Sequence, residues 1–137
     1  YQRNDHWDCP NGQEHVLAEF NVNKKESGSV LLCQSTMAFR GAYSGDMQQQ
    51  WEWAGEKCNG QSITYTGQGH GSTHPSQCIL KTGTTGLHQM RFRYYAHNGD
   101  SGNQPGDHFN PHSGHDGRVH QTSSSWIVWE LSADVAF

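Results

Sequence analysis

The stretch Leu87 to Ala96, LHQMRFRYYA, restricts the fold more than any other part of the chain. His88, Met90, Phe92 and Tyr94 fall on one side of an extended backbone, and Gln89, Arg91, Arg93 and Tyr95 on the other. A period of two with one apolar face marks a strand half-buried in a sheet, so Arg91 and Arg93 are expected to be exposed. No stretch of ten or more residues carries the 3.6-residue period of an amphipathic helix. The expected class is all-β: a sandwich or barrel of short antiparallel strands joined by Gly-rich turns and long Gly/His-rich loops. At 137 residues the chain has the size of a single domain, 1–137, with room for a modest core.

Other segments fit the same class. HVLAEFNV (His15 to Val22) places Val16, Ala18 and Phe20 on alternating positions, and SVLLC (Ser29 to Cys33) would return beside it across a charged turn as a hairpin. MAFRGAY offers a further strand with a bulge at Gly41. In Gln48 to Trp53 both tryptophans share a face, opposite Glu52. Ile63 and Tyr65 alternate, GHGSTHP (69–75) reads as a loop, and QCILK (77–81) as a short strand. SWIVWEL (125–131) is a continuous apolar run, the pattern of a strand buried on both faces.

Four cysteines, Cys9, Cys33, Cys58 and Cys78, lie 20 to 25 residues apart with no C-x-x-C pair. Such spacing suits disulfides better than a zinc site or a redox motif. Of three pairings, Cys9 with Cys33 and Cys58 with Cys78 is expected, each stabilising by about 3 kcal/mol in the chain-entropy model. Two disulfides imply a secreted, extracellular chain, and the start at Tyr1 without an apolar leader fits a mature secreted protein. No apolar run approaches the roughly 20 residues of a membrane span. There is no N-x-S/T sequon.

Net charge is −4 with histidines neutral, and Lys plus Arg number nine, which argues against a nucleic-acid partner. Five Trp, five Tyr and five Phe supply large apolar side chains and argue against disorder. The ten histidines would carry the chain from acidic toward basic as pH falls from about 7 to 5.

Half of those histidines lie between His97 and His120, HNGDSGNQPGDHFNPHSGHDGRVH, among glycines, prolines and three aspartates. Loops of that length in a small domain are usually functional or disordered. His108, His112, His115 and His120 with Asp116 offer imidazoles and an oxygen ligand that zinc or copper would accept. Calcium is less well suited, because the D-x-D-x-D-G loop is absent.

Carbohydrate binding rests on aromatic faces that stack on sugar rings, flanked by hydrogen-bonding side chains. Trp51, Trp53 and Tyr95 are the candidate platforms, with Asn98, Asp100 and Asn103 as polar partners; the tryptophan pair fits a core position as well. Catalysis by Glu52 with Glu56, or by Asp100 with His108, lacks any defining motif, and no catalytic residue is assigned.

CPNGQEHVLAEFNVNKKESGSVLLC, from Cys9 to Cys33, resembles a dermatopontin-type repeat, and Gln50-Trp51-Glu52-Trp53 is similar to that family's tryptophan-aromatic pattern. The resemblance covers about a quarter of the chain and lacks the family's D-R-x-W motif. It implies an extracellular, non-enzymatic protein that engages matrix polysaccharide or cell surfaces.

Gly86-Leu87-His88, Asn98-Gly99-Asp100 and His108-Phe109-Asn110-Pro111 resemble landmarks of copper/zinc superoxide dismutases. The ligand pair of that family would fall on Arg91 and Arg93, which stay protonated and cannot bind copper, so no dismutase activity is implied. The expectation is therefore an extracellular carbohydrate- or matrix-binding protein, lectin-like and compatible with a homo-oligomer. A His-rich zinc- or copper-binding protein is the alternative, and a small secreted hydrolase the third reading.

Overall fold

The structure, a computed structural model, describes residues 1–3, 7–8, 14–40, 45–59, 63–65, 71–97, 108–109, 124–132 and 134. Its organising element is the turn at Ala54-Gly55, where both residues have positive φ, 51° and 80°. A two-residue turn of that kind matches the right-handed twist of the strands it joins. It connects β5 (Gly45–Trp53) to β6 (Glu56–Asn59), with Trp53 opposite Glu56 and Gln50 opposite Asn59.

The remaining antiparallel pairs nest around that turn. β4 (Val30–Arg40) pairs with β8 (Gly71–Leu80), β3 (Glu14–Lys24) with β9 (Gly86–His97), and β1 (Gln2–Arg3) with β11 (Ser124–Leu131). The chain is thus a long hairpin, doubled at Ala54-Gly55 and rolled up so that successive strands alternate between two sheets. One sheet runs β1-β11-β4, with β8 on the far side of β4; the other runs β3-β9-β5, followed by β6 and by β7 (Ile63–Tyr65). This nested order, with the tight β5–β6 hairpin inside the second sheet, is that of a jelly-roll sandwich. We call the sheet of β1, β11, β4 and β8 the front sheet and the other the back sheet.

Nesting explains two departures from the sequence reading. β3 and β4 are not a hairpin: β3 pairs with β9 and β4 with β8 and β11, because the Lys25–Ser29 connection passes from the back sheet to the front. Glu130 of β11 clamps that connection, accepting hydrogen bonds from the Lys25 and Glu26 N–H groups (2.9 Å each at the shorter contact) and from Ser29 Oγ (2.6 Å). The Lys24 side chain, fully buried, donates to the Glu26 and Ser27 carbonyls.

The segment 69–75 is not all loop, since β8 begins at Gly71 and carries Pro75 opposite Thr36. Proline is tolerated there because, among the described residues, β8 pairs with β4 alone and the lost N–H breaks no second ladder.

The inner faces hold an aromatic core. Met90, Phe92 and Tyr94 of β9 lie within it as the alternation predicts, with Trp51 and Trp53 from β5 and Leu31, Cys33, Met37, Leu80 and Trp126 from the front sheet. Trp51 meets Phe92 edge-on at 4.9 Å between ring centroids, and Trp53 donates its indole N–H to the Val22 carbonyl at 3.2 Å. In β3 the register slips between Val16 and Ala18, so Leu17 and Ala18 are both buried and strict alternation fails. A bulge of this kind adds one residue to a strand and turns its later side chains to the other face.

Cys58 of β6 and Cys78 of β8 form a disulfide with Cα atoms 6.1 Å apart, tying an edge of the back sheet to the edge of the front sheet. The second expected bond is corrected: Cys33 is a free thiol, buried on the inner face of β4, and burial pushes it up to about 12. Cys33 sits inside the sandwich because β4 lies between β11 and β8 in the front sheet and is not half of a hairpin with β3. The position of Cys9 lies outside the described residues, as does most of the 97–120 segment. Two residues of that segment form β10 (His108–Phe109), set between β2 (Trp7–Asp8) and the end of β4.

Candidate functional site

Two outward faces carry clefts. On the back sheet, Glu14, Gln48, Gln50, Asn59, Arg93 and Tyr95 line one of ≈ 520 Å³. Several of its polar groups answer one another, while Gln49 Nε2 and Oε1 and Arg93 Nε are buried there with no hydrogen-bond partner among the described residues. Arg93 binds Glu14 at 2.8 Å and Glu52 at 3.2 Å, Gln50 Nε2 donates to Asn59 Oδ1 at 3.0 Å, and Arg91 lies 3.4 Å from Glu19. The hydrogen bond that Arg93 donates to Glu14 and the charge of Glu52 raise the pKa of Arg93, so this guanidinium is held by its neighbours. Arg91 and Arg93 lie on the outward face, yet both are half-buried and not exposed as expected, because each is held against glutamates of the neighbouring strands.

The front sheet is different. Its outer face is a grid three strands wide, because β11, β4 and β8 are in continuous register. One row holds Trp129, Leu32 and Ile79, the next Ile127, Gln34 and Gln77, and the third Ser125, Thr36 and Pro75. Rows two residues apart on adjacent strands place the grid within about 14 Å by 10 Å. Trp129 is 53% exposed and Ile127 47% exposed. The Trp129 indole N–H donates to Gln34 Oε1 at 3.2 Å, which restrains the ring while leaving much of it open to solvent.

A groove of ≈ 400 Å³ runs beside it, lined by Gln34, Thr36, Gln77, Ser125 and Ile127 among others. Among the described residues no hydrogen bond engages the side chains of Thr36, Gln77 or Ser125. None of the nine grid residues is charged.

The tryptophans therefore exchange roles relative to the sequence reading. Trp51 and Trp53, named as stacking platforms, have 0% exposure and no face to offer a ligand; this corrects their assignment. Their strand lies in the middle of the back sheet and its apolar side packs against the front sheet, so burial of both rings follows from the topology. Trp129, read as buried within SWIVWEL, stands on the surface: β11 alternates, with Ser124 and Trp126 buried and Ile127 and Trp129 exposed. A continuous apolar run hides such alternation because both sets of side chains are large and apolar. The signal that could have exposed it was the polar content of the neighbouring strands, Gln34, Thr36 and Gln77, which fits an outer face.

Tyr95 is half-buried and lines the back-sheet cleft. Asn98, Asp100 and Asn103 lie outside the described residues, as do His112, His115, His120 and Asp116. His108 belongs to β10, where its backbone is opposite Asp8 and Arg40. Among the described residues no three His, Cys, Asp or Glu side chains gather in a way that could hold a metal ion. Glu52 is engaged by Arg93. No helix among the described residues is long and apolar enough to cross a membrane.

No protein-family model matches the chain, and no curated protein matches it by sequence. Solved structures do resemble it in fold. A structure of infectious bursal disease virus, Gx strain, superposes with a TM-score of 0.61 at 11% identity, over 93% of this chain and 32% of that one. The VP2 subviral particle of the same virus gives 0.58 at 9% identity, over 97% and 32%. The T13 viral particle gives 0.58 at 11%, over 97% and 35%. The chain spans about a third of the length of those it resembles, and at such identity the likeness is one of fold.

Proposed function

We propose that this chain is an extracellular, non-enzymatic carbohydrate-binding protein whose ligand lies on the outer face of the front sheet. The observation that carries the reading is Trp129, a half-exposed indole restrained by Gln34 beside an uncharged groove with amide and hydroxyl groups. An exposed aromatic face stacks on the apolar side of a pyranose, and nearby amides and hydroxyls answer its hydroxyls. The uncharged grid selects a neutral saccharide over a sulfated or uronic one. The disulfide fits an oxidising, extracellular compartment. Jelly rolls serve as both lectin and capsid domains, so the fold admits this function without specifying it.

The test is a neutral-glycan array probed with the whole chain in the presence of chelator, followed by calorimetry on the best ligand. Binding that survives chelation and falls at least about tenfold in Trp129→Ala, equal to about 1.4 kcal/mol, supports the reading. A blank array overturns it, as does binding unchanged in Trp129→Ala. Light scattering on the same samples addresses assembly. Some structural neighbours are themselves particles, and a concentration-dependent oligomer abolished by Trp129→Ala would assign this face to a second copy of the chain instead.

A further inference from the structure

Three of the four cysteines meet at one edge of the sandwich. Cys33 of β4 and Cys78 of β8 are direct partners in the ladder, and both are buried, at 0% and 9% exposure, so they face each other on the inner side of the front sheet. Residues directly opposed on antiparallel strands have Cα atoms about 4.5 Å or about 5.5 Å apart, depending on their place in the ladder. Both values fall inside the range of about 4.4–6.8 Å that a disulfide spans. Cys78 is already bonded to Cys58, which packs against the same core cluster.

We infer that Cys78 serves two disulfide sites, and that the Cys33 thiol can take the bond from Cys58 by exchange within the protein. In that step Cys33 Sγ gives its proton to solvent and attacks Cys78 Sγ. The Cys58–Cys78 bond breaks, and Cys58 Sγ leaves as a thiolate that takes up a proton. One disulfide and one thiol are present before and after, so no oxidant or reductant is consumed. The effect is to move the covalent link from between the two sheets to within the front sheet, which frees β6 and with it that edge of the sandwich.

Burial keeps the exchange slow in the closed molecule, because the thiolate is the attacking species and the Cys33 thiol is pushed up to about 12. The bond rests on Cys58 until the edge opens. Exchange thus couples opening of this edge to a lasting covalent rearrangement.

Trypsin makes the two states distinguishable. No Lys or Arg lies between Cys58 and Cys78, so their bond is internal to the peptide 58–81, whereas a Cys33–Cys78 bond joins that peptide to 26–40. The native chain is warmed at alkaline pH without added thiol but with an alkylating agent, quenched in acid and mapped by mass spectrometry over all four cysteines. The expected result is the joined pair of peptides with alkylated Cys58, and its loss in Cys33→Ser. As a second arm, Cys58→Ser refolded with oxidised glutathione should link Cys33 to Cys78 in most molecules.

The inference is overturned if Cys33 becomes alkylated in the native chain while Cys58 stays bonded to Cys78. It is equally overturned if a folded Cys58→Ser chain leaves both partners alkylated or joins Cys78 to Cys9. Should Cys58→Ser fail to fold, the native-chain map decides alone.

Discussion

At the scale of single residues, the same amino-acid type is placed in opposite environments by strand parity. Trp51 has no exposed surface and Trp129 has more than half, although each sits in a strand rich in large side chains. Trp51→Ala should cost about 3–5 kcal/mol, as truncation of a buried large aromatic does, with a corresponding loss of urea resistance. Trp129→Ala should cost about 1 kcal/mol or less in the same measurement, because it empties no core volume. Equal losses from the two would mean that Trp129 supports the fold and is not a surface platform.

Ala54 makes the opposite kind of contribution. Its φ of 51° lies in the left-handed region, where a Cβ costs roughly 1 kcal/mol. Ala54→Gly relieves that strain at the turn around which the strands nest, and should raise the thermal midpoint by several degrees, equivalent to about 0.5–1 kcal/mol. An unchanged or lower midpoint would show that the turn is not strained.

Among the described elements, the passage from β3 to β4 has a stability that depends visibly on ionisation. The Glu130 carboxylate is held below the ordinary glutamate value first by the Ser29 hydroxyl and then by the Glu26 N–H, against an opposing effect of burial, with smaller contributions from the Lys25 N–H and the Lys24 charge. A carboxylate depressed in the folded state stabilises fully above its unfolded value near 4.5, and that contribution fades as pH falls through the lower folded value. Stability should therefore decline below about pH 4.5 in the native chain, and Glu130→Gln should flatten that part of the profile while lowering the plateau. Chemical denaturation at pH 3, 4, 5 and 7 checks both features; parallel profiles would remove Glu130 from the account.

The strands themselves were mostly readable. β9 emerged from its alternation almost to the residue, and β5 showed its two tryptophans on one face. β3 was harder, since the bulge at Leu17 shifts the period midway, and β8 was shortened because Pro75 and the glycines before it read as loop. The Ala54-Gly55 turn gave only a weak signal, lacking the Asn-Gly or Asp-Gly that advertises a tight hairpin.

For the molecule as a whole, the disulfide joins edges of two different sheets, so it restrains the sandwich and not one hairpin. Closing a separation of 20 residues should be worth about 3 kcal/mol, and reduction with the thiols capped should lower the unfolding free energy by about that amount. Retention of the sheet signal in circular dichroism after reduction would show that the aromatic core holds the fold without the bond. A loss far smaller than 1 kcal/mol would show that the edges are already held together by packing.

Local chemistry along the chain determined the all-β class, the outward arginines and the inward face of β9. Each depends on alternation or spacing within a short stretch, and such patterns survive whatever the partner strand is. The rolled hairpin, the free thiol of Cys33 beside Cys78, and the exchange of roles between Trp51 and Trp129 depend on which strands lie side by side. That choice is made by contacts between residues distant in the chain. A run such as SWIVWEL satisfies either parity on its own, and only its register against Gln34 and Leu32 turns Trp129 toward solvent.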